Sequence, residues 1–213
     1  MAISTYDELV TAIDRWTFER NNFSLLIPDF ITLAEIEMYA NDDEILETRG
    51  IEKTATATAV GTSPNESRFV ELPDYYLQQR DFRITNQQSE LKLTFVTPNA
   101  IRLVPGTGMP CYFTVTNQIE LDIVPDQDYT ITMKYYAKPA PLTSVNQTNE
   151  ILTSDPSIYL YGALHQAFLY SEDDNEATKY YSKFISAIKG ANQRAKAGRY
   201  GATPAMRIMG ATP

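Results

Sequence analysis

The sequence contains a single cysteine, Cys111, and a single histidine, His165, among its 213 residues. One cysteine excludes a disulfide within the chain, and one cysteine with one histidine cannot complete a zinc site. Cys111 stands beside Tyr112 and Phe113 in an apparent strand, so we expect a small buried side chain rather than a nucleophile. The helical pattern around His165 favours a buried structural histidine, since no motif signals a nucleophile with an oxyanion hole.

Long apolar runs and nucleotide-binding motifs are also missing. No window approaches the roughly 18 consecutive apolar residues of a membrane-spanning helix, and the first residues lack the basic and apolar regions of a signal peptide. Neither GxxxxGK[ST] nor GxGxxG occurs, so nothing supports nucleotide binding. We therefore expect a protein that is cytosolic when made, contacts no membrane and uses no cofactor or metal.

Clustered carboxylates are the feature that keeps a chemical function open. The clusters are Asp42-Asp43-Glu44, Asp126-x-Asp128 and Asp173-Asp174. Each stands where turns and helix starts ordinarily carry acids, and none has the glycine and terminal glutamate of a calcium loop. We expect solvated turns. A carboxylate-based hydrolase stays as one alternative, which predicts that activity is lost on changing Asp or Glu at one site.

Acidic and basic residues are unevenly distributed along the chain. The net charge is −9, but the last acidic residue is Glu176, and seven of the 18 Lys and Arg residues follow it. Residues 1–176 thus hold 11 basic against 27 acidic residues, a net charge of −16. An acidic body with a basic tail favours docking of the tail on an acidic surface of a partner or neighbouring subunit.

Helical periodicity occurs at both ends of the chain. The predicted helices run from Tyr6 to Trp16, from Pro28 to the acidic stretch at Asp42, from Pro156 to about Tyr170 and from Asn175 to about Lys196. Thr5 and Glu8 are spaced as a capping box, and Asp155 is placed to cap the third helix. Gly162 inside that helix predicts a close approach by another backbone.

Between the helices the apolar period changes from 3.6 to 2 residues, which predicts strands. The alternating sets are Leu91, Leu93 and Phe95; Ile119, Leu121 and Ile123; and Tyr129, Ile131, Met133 and Tyr135. The loop Pro125–Asp128 is predicted to join two strands as a hairpin, and Asn117-Gln118 is predicted as a turn.

Together these patterns predict an α+β fold. The N- and C-terminal helices form a helical bundle around a central antiparallel β-rich domain, and an extended C-terminal arm follows. The predicted boundaries are 1–48 for the N-terminal helices, 49–142 for the β-rich domain, 143–197 for the C-terminal helices and 198–213 for the arm.

The chain is rich in tyrosine, with fourteen residues. Tyrosines can stack sugars or single-stranded bases, but base stacking is expected to come with a basic groove, and the body is acidic. Tyrosine is also enriched at protein interfaces, where the ring is buried and the hydroxyl finds a partner. We therefore expect protein interfaces rather than a nucleic-acid groove.

Four stretches occur in order across nearly the whole chain and carry a resemblance. They are Ile27–Glu35, Tyr135–Leu142, Tyr159–Leu164 and Thr203–Ile208, which read IPDFITLAE, YYAKPAPL, YLYGAL and TPAMRI. In this order they resemble the adaptor, or head-completion, proteins of tailed phages, including the tail tubular protein A type. After Glu35 this chain reads IEMYANDD, where those relatives carry an arginine-rich continuation, so the contacts of this helix are not carried over.

The resemblance implies a structural subunit, not an enzyme, that is repeated in a ring, commonly of about twelve copies, between the portal protein and the tail tube or nozzle. DNA would pass through without sequence-specific binding, and an acidic wall would repel its phosphates and let it slide. The implied location is the neck of the virion, after assembly in the host cytoplasm. The alternative is a β-rich carbohydrate-binding module of a phage tail component, which predicts a monomer or trimer with glycan affinity.

The last segment, 198–213, is predicted to be a portal-binding arm that is disordered in the free subunit and ordered on docking. The residues expected to make this contact are Arg199, Tyr200, Met206, Arg207, Ile208 and Met209. The two arginines, both placed past the last helix, can form charge-assisted hydrogen bonds to carboxylates, and the Met and Ile side chains can be buried.

Overall fold

The computed structural model divides the chain into a helical unit, Met1–Gly50 with Pro139–Pro213, and a β unit, Ile51–Lys138. The structure describes residues 3–17, 23–41, 43–61, 67–85 and 90–199. In these residues five α-helices and two four-stranded sheets form a mixed α+β fold, so the predicted fold class is confirmed at that level. The bundle arrangement and the extended arm stay predictions.

The helical unit is organised around one central helix. The helices are α1 (Tyr6–Trp16), α2 (Ile27–Ala40), α3 (Glu150–Ser154), α4 (Pro156–Tyr170) and α5 (Asp174–Arg199). α4 contacts the other four, as expected for a helix that is apolar on nearly every side. A Cβ added at Gly162 would lie 2.9 Å from the Ala34 Cβ and 3.0 Å from the Phe184 ring, so the close approach comes from side chains of α2 and α5.

The helix starts confirm one predicted cap and correct another. Thr5 and Glu8 form the capping box, each side chain accepting the other's backbone N–H at 3.2–3.3 Å. Asp155 does not cap α4; its carboxylate pairs with Arg194 instead. The reason is that Asp155 also ends α3, a helix that the sequence pattern does not predict. Asn149 caps α3 by accepting the Leu152 N–H at 2.9 Å.

The last helix is longer than predicted. α5 ends at Arg199, three residues beyond Lys196, so Gly198 and Arg199 are helical. The expectation that Arg199 lies past the helix is therefore wrong. A glycine close to a helix end lowers helix propensity without ending the helix, and the next proline is Pro204.

The β unit contains two sheets that share one apolar core. The strands are β1 (Glu52–Ala59), β2 (Phe69–Val70), β3 (Tyr76–Thr85), β4 (Glu90–Lys92), β5 (Thr94–Phe95), β6 (Tyr112–Val115), β7 (Ile119–Leu121) and β8 (Tyr129–Ala137). The first sheet has the order β1-β8-β3-β4 and is antiparallel; the second has the order β2-β7-β6-β5, with β5 parallel to β6. The Phe82 ring of the first sheet stacks on Phe113 of the second at 4.8 Å between centroids.

The predicted alternation is confirmed in β8, where Tyr129, Ile131, Met133 and Tyr135 are all buried. The turn at Asn117-Gln118 is also confirmed, because it joins the antiparallel strands β6 and β7.

Two strand predictions are wrong, for the same reason. β7 belongs to the second sheet and β8 to the first, so the loop Pro125–Asp128 joins different sheets and forms no hairpin. Leu91, Leu93 and Phe95 do not share a strand either: Leu93 is buried between β4 and β5, which lie in different sheets, whereas Leu91 and Phe95 are about half exposed. Alternating apolar residues show which face of a strand is buried, but they do not show which other strand it pairs with.

Cys111 is exposed, so the prediction of a buried side chain is wrong. The residue precedes β6, which begins at Tyr112, and its Sγ lies 3.8 Å from the Met109 carbonyl oxygen. Because Cys111 lies outside the strand, the inward alternation that buries Phe113 does not extend to it.

Candidate interaction surfaces

Three of the stretches that carry the resemblance meet at one side chain of α2. Glu35 Oε1 accepts the backbone N–H of Leu142 at 2.9 Å and the hydroxyl of Tyr159 at 3.0 Å. Burial raises the pKa of Glu35, and these two hydrogen bonds act in the opposite direction. The carboxylate therefore ties α2 both to α4 and to the segment that follows the β unit.

Asn149 extends this polar network. Its side-chain nitrogen donates to the Tyr159 oxygen at 2.6 Å and to the Ala140 carbonyl at 3.2 Å. Burial, helped by the Glu35 charge, raises the pKa of Tyr159, so the hydroxyl stays protonated and remains a donor. The network joins segments that are far apart in sequence, which is a structural role.

The Glu35 network was not predicted, although the sequence contains two signals for it. Glu35 follows Ile31 by four residues and precedes Met38 by three, which is the spacing of one helix face, and both neighbours are buried. Asn149 is a strong capping residue immediately before Glu150.

The lone histidine has a structural role, as predicted. His165 is buried, its Nδ1 lies 3.0 Å from the Ala177 carbonyl oxygen, and its Nε2 lies 3.9 Å from Glu37. The ring therefore joins α4 to α5 and approaches α2. Over the described ranges, no group of three or more His, Cys, Asp or Glu side chains could hold a metal ion, and no helix is long and apolar enough to cross a membrane.

The second and third carboxylate clusters serve a turn and a helix start, as predicted, whereas the first cluster contacts α5. Asp43 accepts the Tyr181 hydroxyl at 2.6 Å, and Asp126 accepts the Tyr129 hydroxyl at 2.7 Å. Asp173 accepts the Glu176 N–H at 3.3 Å in the first turn of α5. Asp42 lies outside the described residues.

The first candidate surface is the outer face of α2. The exposed residues there follow helical spacing and form what we call the α2 stripe: Leu25, Asp29, Leu33, Ile36 and Ala40. Leu25, in the turn before α2, is 85% exposed, Leu33 47% and Ile36 58%. Apart from Asp29 the stripe is apolar, and α2 contains no basic residue.

The second candidate surface is an aromatic–lysine cluster formed by α1, α4 and α5. Its members are Trp16, Tyr161, Tyr180, Lys179 and Lys183. The three ring centroids are 6.3–6.4 Å apart, and Trp16 is 42% exposed. The Lys183 ammonium lies 5.4 Å from the Tyr161 ring centroid and 5.3 Å from that of Tyr180, which is the range of cation–π attraction.

The β unit has a candidate surface of its own beside β5 and β6. Phe95, Leu103, Val104 and Tyr112 are each 42–49% exposed. Val104 and Tyr112 also line a cleft of about 290 Å³, together with Val96 and other residues.

The predicted arm residues are only partly covered by the structure. Arg199 is the last residue of α5. Tyr200, Met206, Arg207, Ile208 and Met209 lie outside the described residues, so their role in binding stays a prediction.

Comparison with known protein families gives a match over nearly the whole chain. The model of a protein family described as SU10 adaptor protein matches residues 4–207, which include nearly all of the helical unit and the whole β unit. No curated protein matches the chain.

Proposed function

The chain belongs to the SU10 adaptor protein family, a family of phage structural adaptors, and from this premise we propose that it is the repeating subunit of a ring between portal and tail. The observation that carries the proposal is the extent of the match, from residue 4 to residue 207. For a β-rich sugar-binding module, we would expect a family match that covers the β unit alone. Membership in the family makes this a protein of the virion.

The finer parts of the proposal come from the resemblance to adaptors of the tail tubular protein A type. About twelve copies close into a ring by heterologous contacts, one side of the ring faces the portal, and the tail tube or nozzle attaches to the other. DNA passes through the ring without sequence-specific binding. The net charge of −16 in residues 1–176 favours a passage that repels phosphate.

In this proposal the C-terminal residues bind the portal. Because α5 runs to Arg199, the arm begins at Tyr200 rather than at Gly198. Several arms acting together multiply weak single attachments, since the second and later contacts are intramolecular.

The ring is tested by electron microscopy of the purified chain mixed with its portal, and of the neck in intact virions. We expect rotationally repeated copies of the chain between portal and tail. Single copies at the neck, without rotational symmetry, would contradict the proposal.

The arm is tested by deleting residues 200–213, which leaves α5 complete. The truncated chain should keep its helical circular dichroism and its melting temperature but fail to attach to portals. Attachment at the normal level would overturn the role of the arm, and loss of the fold would assign these residues to the core.

A further inference from the structure

We propose that the ring is closed by a head-to-tail contact in which the α2 stripe of one copy docks on the aromatic–lysine cluster of the next copy. This inference rests on the proposed function, because it presupposes a ring. It adds which two surfaces meet and which residues pair across the contact.

The α2 stripe has the properties of a buried face. A surface helix normally carries charged and polar residues opposite its core-facing side, whereas a helix that is apolar all round is a buried one. Ile31 and Ala34 face the core, and yet Leu33 and Ile36 on the opposite side are apolar as well. The hydroxyl of the exposed Thr32 donates a hydrogen bond to the Pro28 carbonyl oxygen within the same helix at 3.0 Å.

The aromatic–lysine cluster has the composition of the surface that such a stripe needs. Trp and Tyr are enriched at the centres of protein interfaces, where large rings supply most of the contact area. Trp16 is 42% exposed and Tyr161 is partly exposed, whereas Tyr180 is buried and packs against both rings. The aliphatic stems of Lys179 and Lys183 add apolar area beside their charges.

The charges identify the occupant as a second copy of this chain. Within the described residues, no ion pair involves Asp29, and Lys183 has no carboxylate partner, whereas Lys179 is already paired with Glu176 at 2.8 Å. α2 has no basic residue, and α5 has no acidic residue after Glu176. Each surface therefore repels its own kind and attracts the other.

This arrangement favours a ring over a pairing of identical faces. Two α2 stripes would bring like charges together, and so would two aromatic–lysine clusters. A contact between two different faces of the same chain is heterologous, and heterologous contacts generate rings when the rotation closes. The ring therefore needs both faces on every copy.

The test is a charge exchange between Asp29 and Lys183. Asp29→Lys and Lys183→Glu should each weaken self-association at least about tenfold, because each places like charges across the contact. The double variant should assemble again. An equimolar mixture of the two single variants should also assemble, since copies that alternate around an even-numbered ring then join opposite charges at every contact.

Ring formation is measured by analytical ultracentrifugation of the free chain and by electron microscopy of portals mixed with it. Circular dichroism verifies that each variant is folded. Asp7→Lys, in the exposed first turn of α1, and Lys189→Glu, elsewhere on the exposed side of α5, are the matched controls and should assemble normally. Trp16→Ala should weaken assembly about 30-fold or more, as truncation of an interface anchor does.

The outcomes separate this inference from the proposed function. Rings that form normally with Asp29→Lys or Lys183→Glu, control variants that weaken assembly equally, or a failure of both the double variant and the mixture to assemble would each overturn the contact. In those cases a wild-type ring at the neck would leave the proposed function standing. If the wild-type chain formed no ring, alone or on portals, both proposals would fail.

Discussion

Two carboxylates, Glu35 of the helical unit and Asp81 of the β unit, are held in opposite ways. In the helical unit, the carboxylate of Glu35 lies inside and joins separate segments of the chain. In the β unit, the carboxylate of Asp81 accepts hydrogen bonds from Arg83 at 2.7 Å and from Lys92 at 3.3 Å, and both of these cations reach solvent. A buried polar group is expensive to leave unpaired, whereas a surface ion pair contributes little, so the same chemistry has different consequences in the two units.

The largest effect is expected from the apolar core of the β unit. Phe82→Ala should lower the free energy of unfolding by about 3–5 kcal/mol, because it removes a fully buried ring and leaves a cavity against Phe113. Phe95→Ala is the control: its ring also contacts Phe113, but it is 42% exposed. Urea denaturation measures both. Equal effects would show that the Phe82 site collapses after truncation.

The next effect tests the buried network of the helical unit. Tyr159→Phe should destabilise the fold by about 1–3 kcal/mol, because Glu35 loses a donor and Asn149 an acceptor. Tyr39→Phe is the matched control, since the Tyr39 hydroxyl is buried with no hydrogen-bond partner in the described part of the chain. It should be neutral or stabilising. If the two substitutions had the same effect on thermal unfolding, the hydrogen bonds of the network would not stabilise the fold.

A smaller effect is expected where α4 meets its neighbours. Alanine favours helices over glycine by about 1 kcal/mol, but overpacking a tight contact typically costs about 1–3 kcal/mol, so Gly162→Ala should be destabilising by about 1 kcal/mol. The comparison variant is Gly190→Ala in α5, where the nearest atom to an added Cβ is the flexible Arg194 side chain at 3.5 Å. That variant should be stabilising. Stabilisation by both would mean that α2 and α5 move apart freely.

The smallest effect is a difference in pH dependence between the units. The pKa of Glu35 is raised in the folded state, so the folded protein takes up this proton at a higher pH than the unfolded chain does. The stability of wild type relative to Glu35→Gln should therefore rise as the pH falls through the folded-state pKa. For Asp81, burial raises the pKa, but hydrogen bonds from Arg83 and Lys92 outweigh it and lower the pKa overall. Its contribution is present above its unfolded pKa of about 3.9 and is lost as the pH falls through the folded value.

The two carboxylates should therefore show opposite slopes in acid. Urea titrations of wild type, Glu35→Gln and Asp81→Asn between neutral and acidic pH measure them. Slopes of the same sign would contradict the contrast between a buried and a surface carboxylate.

Local patterns in the sequence predict what depends on neighbours along the chain. The capping box at Thr5, the alternation through β8 and the phage adaptor resemblance are confirmed. The sheet to which a strand belongs depends on distant partners, and so the hairpin at Pro125–Asp128 was predicted wrongly. The same limit hid the Glu35 network, because Leu142 and Tyr159 are more than one hundred residues away from Glu35.

The pairing of β1 with β8 brings the two ends of the β unit together. Glu52 lies opposite Tyr136, so the chain enters and leaves the β unit on adjacent strands, about 5 Å apart. The ribosome completes β8 before it makes any residue of α4 or α5. Once the β unit has folded, α2 and α4 are joined by a short fixed span and not by a long flexible loop. Less conformational entropy is then lost when α2 packs against α4. The residues proposed to bind the portal are translated only after every residue of the β unit.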